Sequence, residues 1–232
     1  MRGSVVRGVL AAAVMAGLVA GCSGGGDGKA SGSKTPGAGK SDGSGKSDDQ
    51  KNGDADAGGE KSTPPAKAGG SVGAAGSACK LPVTFKTAAQ WKAEEIDIAP
   101  DDEFAELAVQ GPVIARCEID AKPAGNIGFI RVYVEEPVTA DADPLDVLKK
   151  YVAADEEPAD DMYRAFTSGD VKGMQVEYES TSRLLEETKT ERAFAVRTPE
   201  GIVVVALGGM DTQEHEAMLP AYELAKQTLK VN

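Results

Sequence analysis

The chain has 232 residues, 41% of them hydrophobic and 5% aromatic, with a net charge of −12 and a mean hydropathy of −0.27. That balance excludes a protein built from several spanning helices, and the negative charge speaks against nucleic acid or an anionic lipid surface as partner. A single histidine excludes any metal site that needs two imidazole ligands.

Taken in chain order, the first signal is a basic start (Arg2, Arg7), an apolar run over residues 9–19, and then Leu18-Val19-Ala20-Gly21-Cys22. This is the order of a secretory signal peptide (1–21) ending in a lipobox, in which small residues admit the signal peptidase and the Cys22 thiol is acylated before cleavage. The run is shorter than the about 20 residues a spanning helix requires. Acyl chains contribute about 0.8 kcal/mol per buried methylene, and two or more give stable anchoring. The expectation is a lipid-anchored protein on the extracytoplasmic face of the cell membrane, with the bilayer as its first partner through Cys22.

Residues 22–78 read as the lipidated cysteine and a disordered tether. Of the 56 residues after Cys22 in this span, 16 are glycine, none is aromatic, and Val72 is the one branched aliphatic. Such a chain buries too little apolar surface to offset its conformational entropy. Seven lysines balance seven acids there. The end-to-end distance of a flexible chain of this length is about 40 Å.

Residues 79–232 have the size of one domain. They carry 16 basic and 30 acidic residues, a net of −14. Cys79 and Cys117 are the two cysteines left after Cys22, and in an oxidising compartment an isolated pair more often forms a disulfide than two unlinked buried thiols.

Within the domain, 81–85 and 91–98 have strand-like composition, and 101–110 is either a short helix or an irregular edge. From Pro112 the pattern sharpens. Val113, Ala115, Cys117 and Ile119 alternate with Ile114, Arg116 and Glu118, which predicts one apolar face with Cys117 pointing inward. Ala124-Gly125-Asn126 signals a turn, and alternation resumes through Ile130, Val132 and Val134. Asp143 followed by Pro144 predicts a helix start, with Leu145, Leu148 and Val152 on the packing face. Strands are expected over 162–167, 174–180 and 191–197, and the unbroken apolar run 202–207 predicts a strand covered on both faces. Asp211 and Glu214 suggest a capping box for a last helix, and Pro220 either moves its start or kinks it. The sum is an α+β fold, an antiparallel β-sheet flanked by helices.

The order and spacing of Leu81-Pro-Val-Thr-Phe85, Trp91, the 143–148 helix start, Lys172-Gly-Met-Gln-Val-Glu-Tyr178, Arg192-Ala-Phe-Ala-Val196 and the closing 202–207 strand and helix resemble the PsbP-like domain of LpqN-type actinobacterial lipoproteins. The chain departs from that pattern at Ala88-Ala89-Gln90, where a proline often precedes the early tryptophan. The resemblance implies an α/β/α sandwich used as an accessory or binding module, with no catalytic residues to carry over.

No catalytic constellation stands out, and no cofactor is expected. His215, in a charged stretch at a helix start, is expected to face solvent. Ser77-Ala-Cys-Lys80 matches a Ser-x-x-Lys string without its companion motifs. The acidic clusters at 101–103, at Asp141 and Asp143, and at 155–161 lack the ordered spacing of a calcium loop and read as solvated acids. Trp91 is either core or a contact at a binding edge. Three functional readings follow. The first is a non-enzymatic module that binds another envelope protein. The second is a carrier or sensor of a small apolar ligand held between sheet and helix, which needs a pocket there. The third is a hydrolase, which needs acids such as Glu177 and Glu191 converging in one cleft.

Overall fold

The computed structural model describes residues 63–98 and 105–232. The expected signal peptide, Cys22, most of the expected tether and the 101–103 acidic cluster lie outside the described residues.

Two antiparallel sheets and two helices make up the described chain. The large sheet is ordered β3 (Lys92–Glu95), β5 (Val113–Asp120), β6 (Gly128–Glu135), β10 (Gly201–Gly209), β9 (Glu187–Thr198), β8 (Val171–Ser182) and β7 (Ala159–Ser168), with the short β4 (Val109–Gln110) also paired to β5. The small sheet is β1 (Ala68–Val72), β2 (Val83–Ala88) and β11 (Lys230–Val231), with β2 in the middle. Helix α1 (Pro144–Ala153) covers one face of the large sheet; α2 (Thr212–Gln227) and the small sheet cover the other. Helix, sheet and helix stack in the order the sequence suggests.

Strand β10 shows why both faces need cover. Val203, Val205 and Leu207 join the α2-side core, while Ile202, Val204 and Ala206 join the α1-side core. Every one of these side chains is buried, so the continuous apolar run has no solvent face. On the α1 side β9 presents Ala193 and Ala195, which leave room for the helix to sit close, whereas Phe194 fills the opposite side. The Phe194 ring lies 5.4 Å from Phe166 and 5.4 Å from Tyr222. Phe194→Ala is expected to cost about 3–5 kcal/mol, read as a shift in the denaturant midpoint at constant slope. A cost within experimental error would mean that the neighbouring rings collapse fully into the gap.

Strand β5 corrects the alternation read from sequence. Val113 and Ala115 face the α1-side core, but Cys117 and Ile119 face the other. The register to β6 slips between Ala115, opposite Tyr133, and Cys117, opposite Val132. An extra residue in one strand leaves the buried and half-buried alternation unbroken along that strand while turning its second half over. The turn-over carries Cys117 to the side of the small sheet, where it is joined to Cys79 with a Cα–Cα distance of 5.9 Å.

The tether boundary is also corrected. Ordered structure begins ahead of Cys79: β1 pairs with β2, and Val72, 1% exposed, belongs to the core. Composition hid this strand because its glycines serve close approach rather than freedom. A Cβ on Gly69 would come within 2.4 Å of the Ala89 Cα, and one on Gly73, at φ +96°, within 1.8 Å of the Val83 carbonyl oxygen.

Helix caps follow the sequence closely. The Asp143 carboxylate accepts the Leu145 N–H at 2.8 Å with Pro144 in the first turn. Asp211 accepts the Glu214 N–H at 2.8 Å, but Glu214 turns away and accepts the Ile127 N–H at 3.1 Å, so only half of the expected capping box forms. Pro220 sits inside α2 and does not move its start. Its carbonyl accepts the Ala66 N–H at 2.7 Å, which fastens the incoming chain to the helix.

Candidate binding surface

One end of the large sheet collects most of the exposed large apolar side chains that lie on loops between major elements. The β8–β9 connection carries Leu184 and Leu185, 89% and 64% exposed. The β10–α2 connection carries Met210 at 58%, and the loop before β6 carries Ile127 at 55%. Met210 and Ile127 are adjacent, because the Met210 N–H donates to the Ile127 carbonyl at 3.1 Å. Leu185 and Met210 both line a cleft of about 380 Å³ whose walls include Asp155, Ser180, Lys189 and Asp211. Singly exposed apolar side chains are ordinary on a folded surface, but four on one rim form a patch.

The floor of this rim is polar and hydrogen-bonded. The Asp155 carboxylate, just past α1, accepts the Tyr178 hydroxyl at 2.7 Å and the Ser180 hydroxyl at 3.2 Å. Lys189 donates to the Gly209 carbonyl at 3.0 Å and pairs with Glu191 at 2.6 Å, tying the base of the β8–β9 hairpin to the end of β10. Burial pushes the Glu191 carboxyl up to about 7, with Lys189 opposing and Asp155 adding to the rise. Burial also raises the Tyr133, Tyr151 and Tyr178 hydroxyls, which line the same side of the sheet and stay protonated. Tyr133 and Tyr151 meet edge to face at 5.3 Å.

The same end receives the chain from the N-terminal side. Ala66, Lys67, Trp91, Asn126 and Met218 line one small hollow, so the incoming segment passes next to the residue preceding Ile127. Trp91 is half-buried and packs on the α2-side core.

Several residues singled out from sequence sit elsewhere or do other work. His215 is a correction: it is fully buried rather than solvent-facing, because it continues the stripe of Met218, Tyr222 and Ala225 along α2. Neither ring nitrogen has a hydrogen-bond partner, and burial, with Arg192 and Lys189 nearby, lowers its pKa to about 3. Glu177 and Glu191 do not converge. Glu177 stands opposite Arg192 and bonds its Nε at 2.8 Å, whereas Glu191 stands opposite Tyr178, so the two acids occupy opposite faces of the sheet. Ser77 spends its hydroxyl on the Ala74 and Cys79 carbonyls, each at 2.7 Å. Among the acids weighed for calcium, Asp143 caps a helix, Asp155 holds two hydroxyls and Glu157 pairs with Arg183 at 3.0 Å. Among the described residues, no group of three or more His, Cys, Asp or Glu could hold a metal ion. Among the described residues, buried apolar side chains pack against both faces of the large sheet.

Sequence reasoning missed the rim itself. Its signal was present as Arg183-Leu-Leu-Glu186, two adjacent leucines inside a polar turn, where neither strand nor helix periodicity gives them a buried side.

No curated protein matches the chain. Among solved structures, it is similar to the solution structure of cyanobacterial PsbP (CyanoP) from Synechocystis sp. PCC 6803, at 12% identity and a TM-score of 0.46, over 70% of this chain and 98% of that one. Residues 49–229, most of the sequence, match the family described as uncharacterised lipoprotein, and the chain belongs to that family.

Proposed function

We propose that this lipoprotein is held to the extracytoplasmic face of the membrane by an acylated Cys22 and acts there as a non-catalytic module that docks another envelope protein. The observation that carries the reading is the apolar rim of Leu184, Leu185, Met210 and Ile127 on an otherwise strongly acidic domain, at the end where the anchored segment enters. Lipid alone is a poor occupant, since Asp155, Glu187 and Asp211 lie among these side chains and repel anionic headgroups. A protein surface with apolar anchors and basic neighbours meets both requirements.

The test places a photo-crosslinking residue at position 185 of the full-length chain in cells, with position 200, at the opposite end of the sheet, as control. A discrete crosslinked species from 185 and none from 200 supports the reading. Leu184→Ser with Leu185→Ser is expected to weaken capture of that species at least tenfold, since an apolar anchor contributes about 1–2 kcal/mol. Cys22→Ala should shift the protein from the membrane to the soluble fraction. Unchanged fractionation sinks the anchor; equal crosslinking from both positions sinks the rim.

A further inference from the structure

Two clefts of opposite charge lie on this domain. The cleft under the apolar rim is walled by Asp155, Glu156, Glu187 and Asp211, with Lys189 as its one cation. The other, of about 560 Å³, lies between the β7–β8 turn and the chain leaving α2, where Lys172, Arg197 and Lys230 line it with the single acid Asp170. Among the described residues neither lysine stands in an ion pair. The Arg197 guanidinium donates to the Ala142 carbonyl rather than to an acid. The carbonyl end of α2 adds a partial negative charge of about half a unit, too little to reverse the sign. Asn232, next along the chain, is not part of the lining; the Pro82, Gly73 and Leu81 carbonyls accept its amides.

The walls are apolar, and they hold one hydroxyl without a bond. Val171 and Val231 are half-buried at the margin of the α2-side core, and Leu229 belongs to that core. Ser168 stands opposite Val171 where the β7–β8 turn closes. It is 7% exposed, and its hydroxyl has no hydrogen-bond partner among the described residues. Leaving a buried hydroxyl unpaired is unfavourable. No bond holds this one in its rotamer, so it is free to turn about χ1 toward the cleft that Ser168 lines. Thr228 is no substitute, because its hydroxyl donates to the Leu224 carbonyl and accepts the Lys86 N–H.

We propose that this cleft binds a small organic carboxylate with an apolar body. The apolar part lies on Val171, Leu229 and Val231, extending the margin of the core. The carboxylate accepts the Ser168 hydroxyl within the field of Lys172, Arg197 and Lys230, and a hydrogen bond to an ionised group is stronger than one between neutral groups. A cleft of this size with apolar walls and few polar groups has the make-up of a small-molecule site. An inorganic anion leaves the apolar walls uncovered, and an organic cation meets a repulsive field, so the site selects on both counts.

The probe is octanoate, with octanol and inorganic phosphate as its uncharged and its purely ionic counterparts, added to the full mature chain in lipid nanodiscs. Hydrogen exchange read by mass spectrometry is expected to slow over 168–172 and 227–231 with octanoate alone, and to stay unchanged over 183–188. Ser168→Ala is expected to weaken octanoate about tenfold, the order of a hydrogen bond to a charged group, while the free protein is no less stable for losing an unpaired buried hydroxyl. Lys172→Glu with Lys230→Glu reverses the local charge and is expected to abolish the protection, whereas Lys122→Glu, outside the cleft, leaves it intact. Equal protection by octanol reduces the cleft to an unselective apolar hollow, and equal protection by phosphate reduces it to a cationic patch. Either result overturns the proposal, as does a Ser168→Ala chain that binds as the wild type does, or a wild type that millimolar octanoate leaves unprotected. None of these disturbs the rim reading, which is scored separately by crosslinking from position 185.

Discussion

Replacing His215 with leucine should remove the acid limb of the stability profile, and replacing Glu191 with glutamine should remove its neutral limb. The two groups act with opposite sign. His215 has its pKa lowered to about 3 in the folded protein from an ordinary 6.5. Its neutral burial is fully tolerated above pH 6.5, and stability is lost as pH falls from there toward 3, because the unfolded chain takes up the proton first. Glu191 is raised to about 7 from 4.5, so its contribution is present below pH 4.5 and is lost as pH rises through 7. At about 1.4 kcal/mol per pKa unit, each limb amounts to a few kcal/mol at most. Between pH 4.5 and 6.5 they oppose each other, and the wild-type profile is expected to be flatter there than that of either variant. Denaturant titrations from about pH 4 to pH 8 on the wild type and both variants provide the check. Leucine at 215 continues the buried stripe of Met218 and Tyr222 and frees Arg192 and Lys189 from a nearby imidazolium in acid. Glutamine at 191 leaves Lys189 its bond to the Gly209 carbonyl. Parallel curves for all three proteins would show that neither group titrates differently on folding.

The second large effect is expected at the disulfide. Cys79 and Cys117 are separated by 38 positions, and closing a loop of that length in the unfolded chain corresponds to about 4 kcal/mol in chain-entropy arithmetic. Both cysteines are fully buried, so reduction also leaves two thiols in a packed site. Cys79→Ser with Cys117→Ser should lower Tm by on the order of 10 °C. Reductant should lower the wild type by a similar amount and leave the double variant where it is. A wild type whose Tm does not move while mass spectrometry shows both thiols free would refute the estimate.

Much of the architecture was legible in the amino-acid order, for identifiable reasons. Strands β6, β8, β9 and β10 were readable because each face of the sheet is lined by a distinct core, so alternation or continuous apolarity maps directly onto burial. Helix α1 was readable because Asp143-Pro144 combines two independent start signals. Other features depend on partners distant in the chain. The face change in β5 hides behind an unbroken alternation, since a bulge alters the register to β6 and not the pattern along the strand itself. Strand β1 hides behind small residues whose value lies in how near they allow Ala89 and Val83 to come. His215 looked solvent-facing because its neighbours in sequence are charged, and only its place among Met218 and Tyr222 on the helix face reveals the burial. The apolar rim was least legible, because it is assembled from three loops that no local rule brings together.

The placement of the bridge has a mechanical consequence. Force drawn through the segment before Ala66 arrives first at the Ala66–Pro220 and Ala89–Lys67 backbone bonds and then at β1. Those contacts can unzip one after another, and the slack they release ends at Cys79, which is covalently stitched to the large sheet through Cys117. A pull from that side therefore strips only a short ribbon before the load passes through the bridge into the middle of β5.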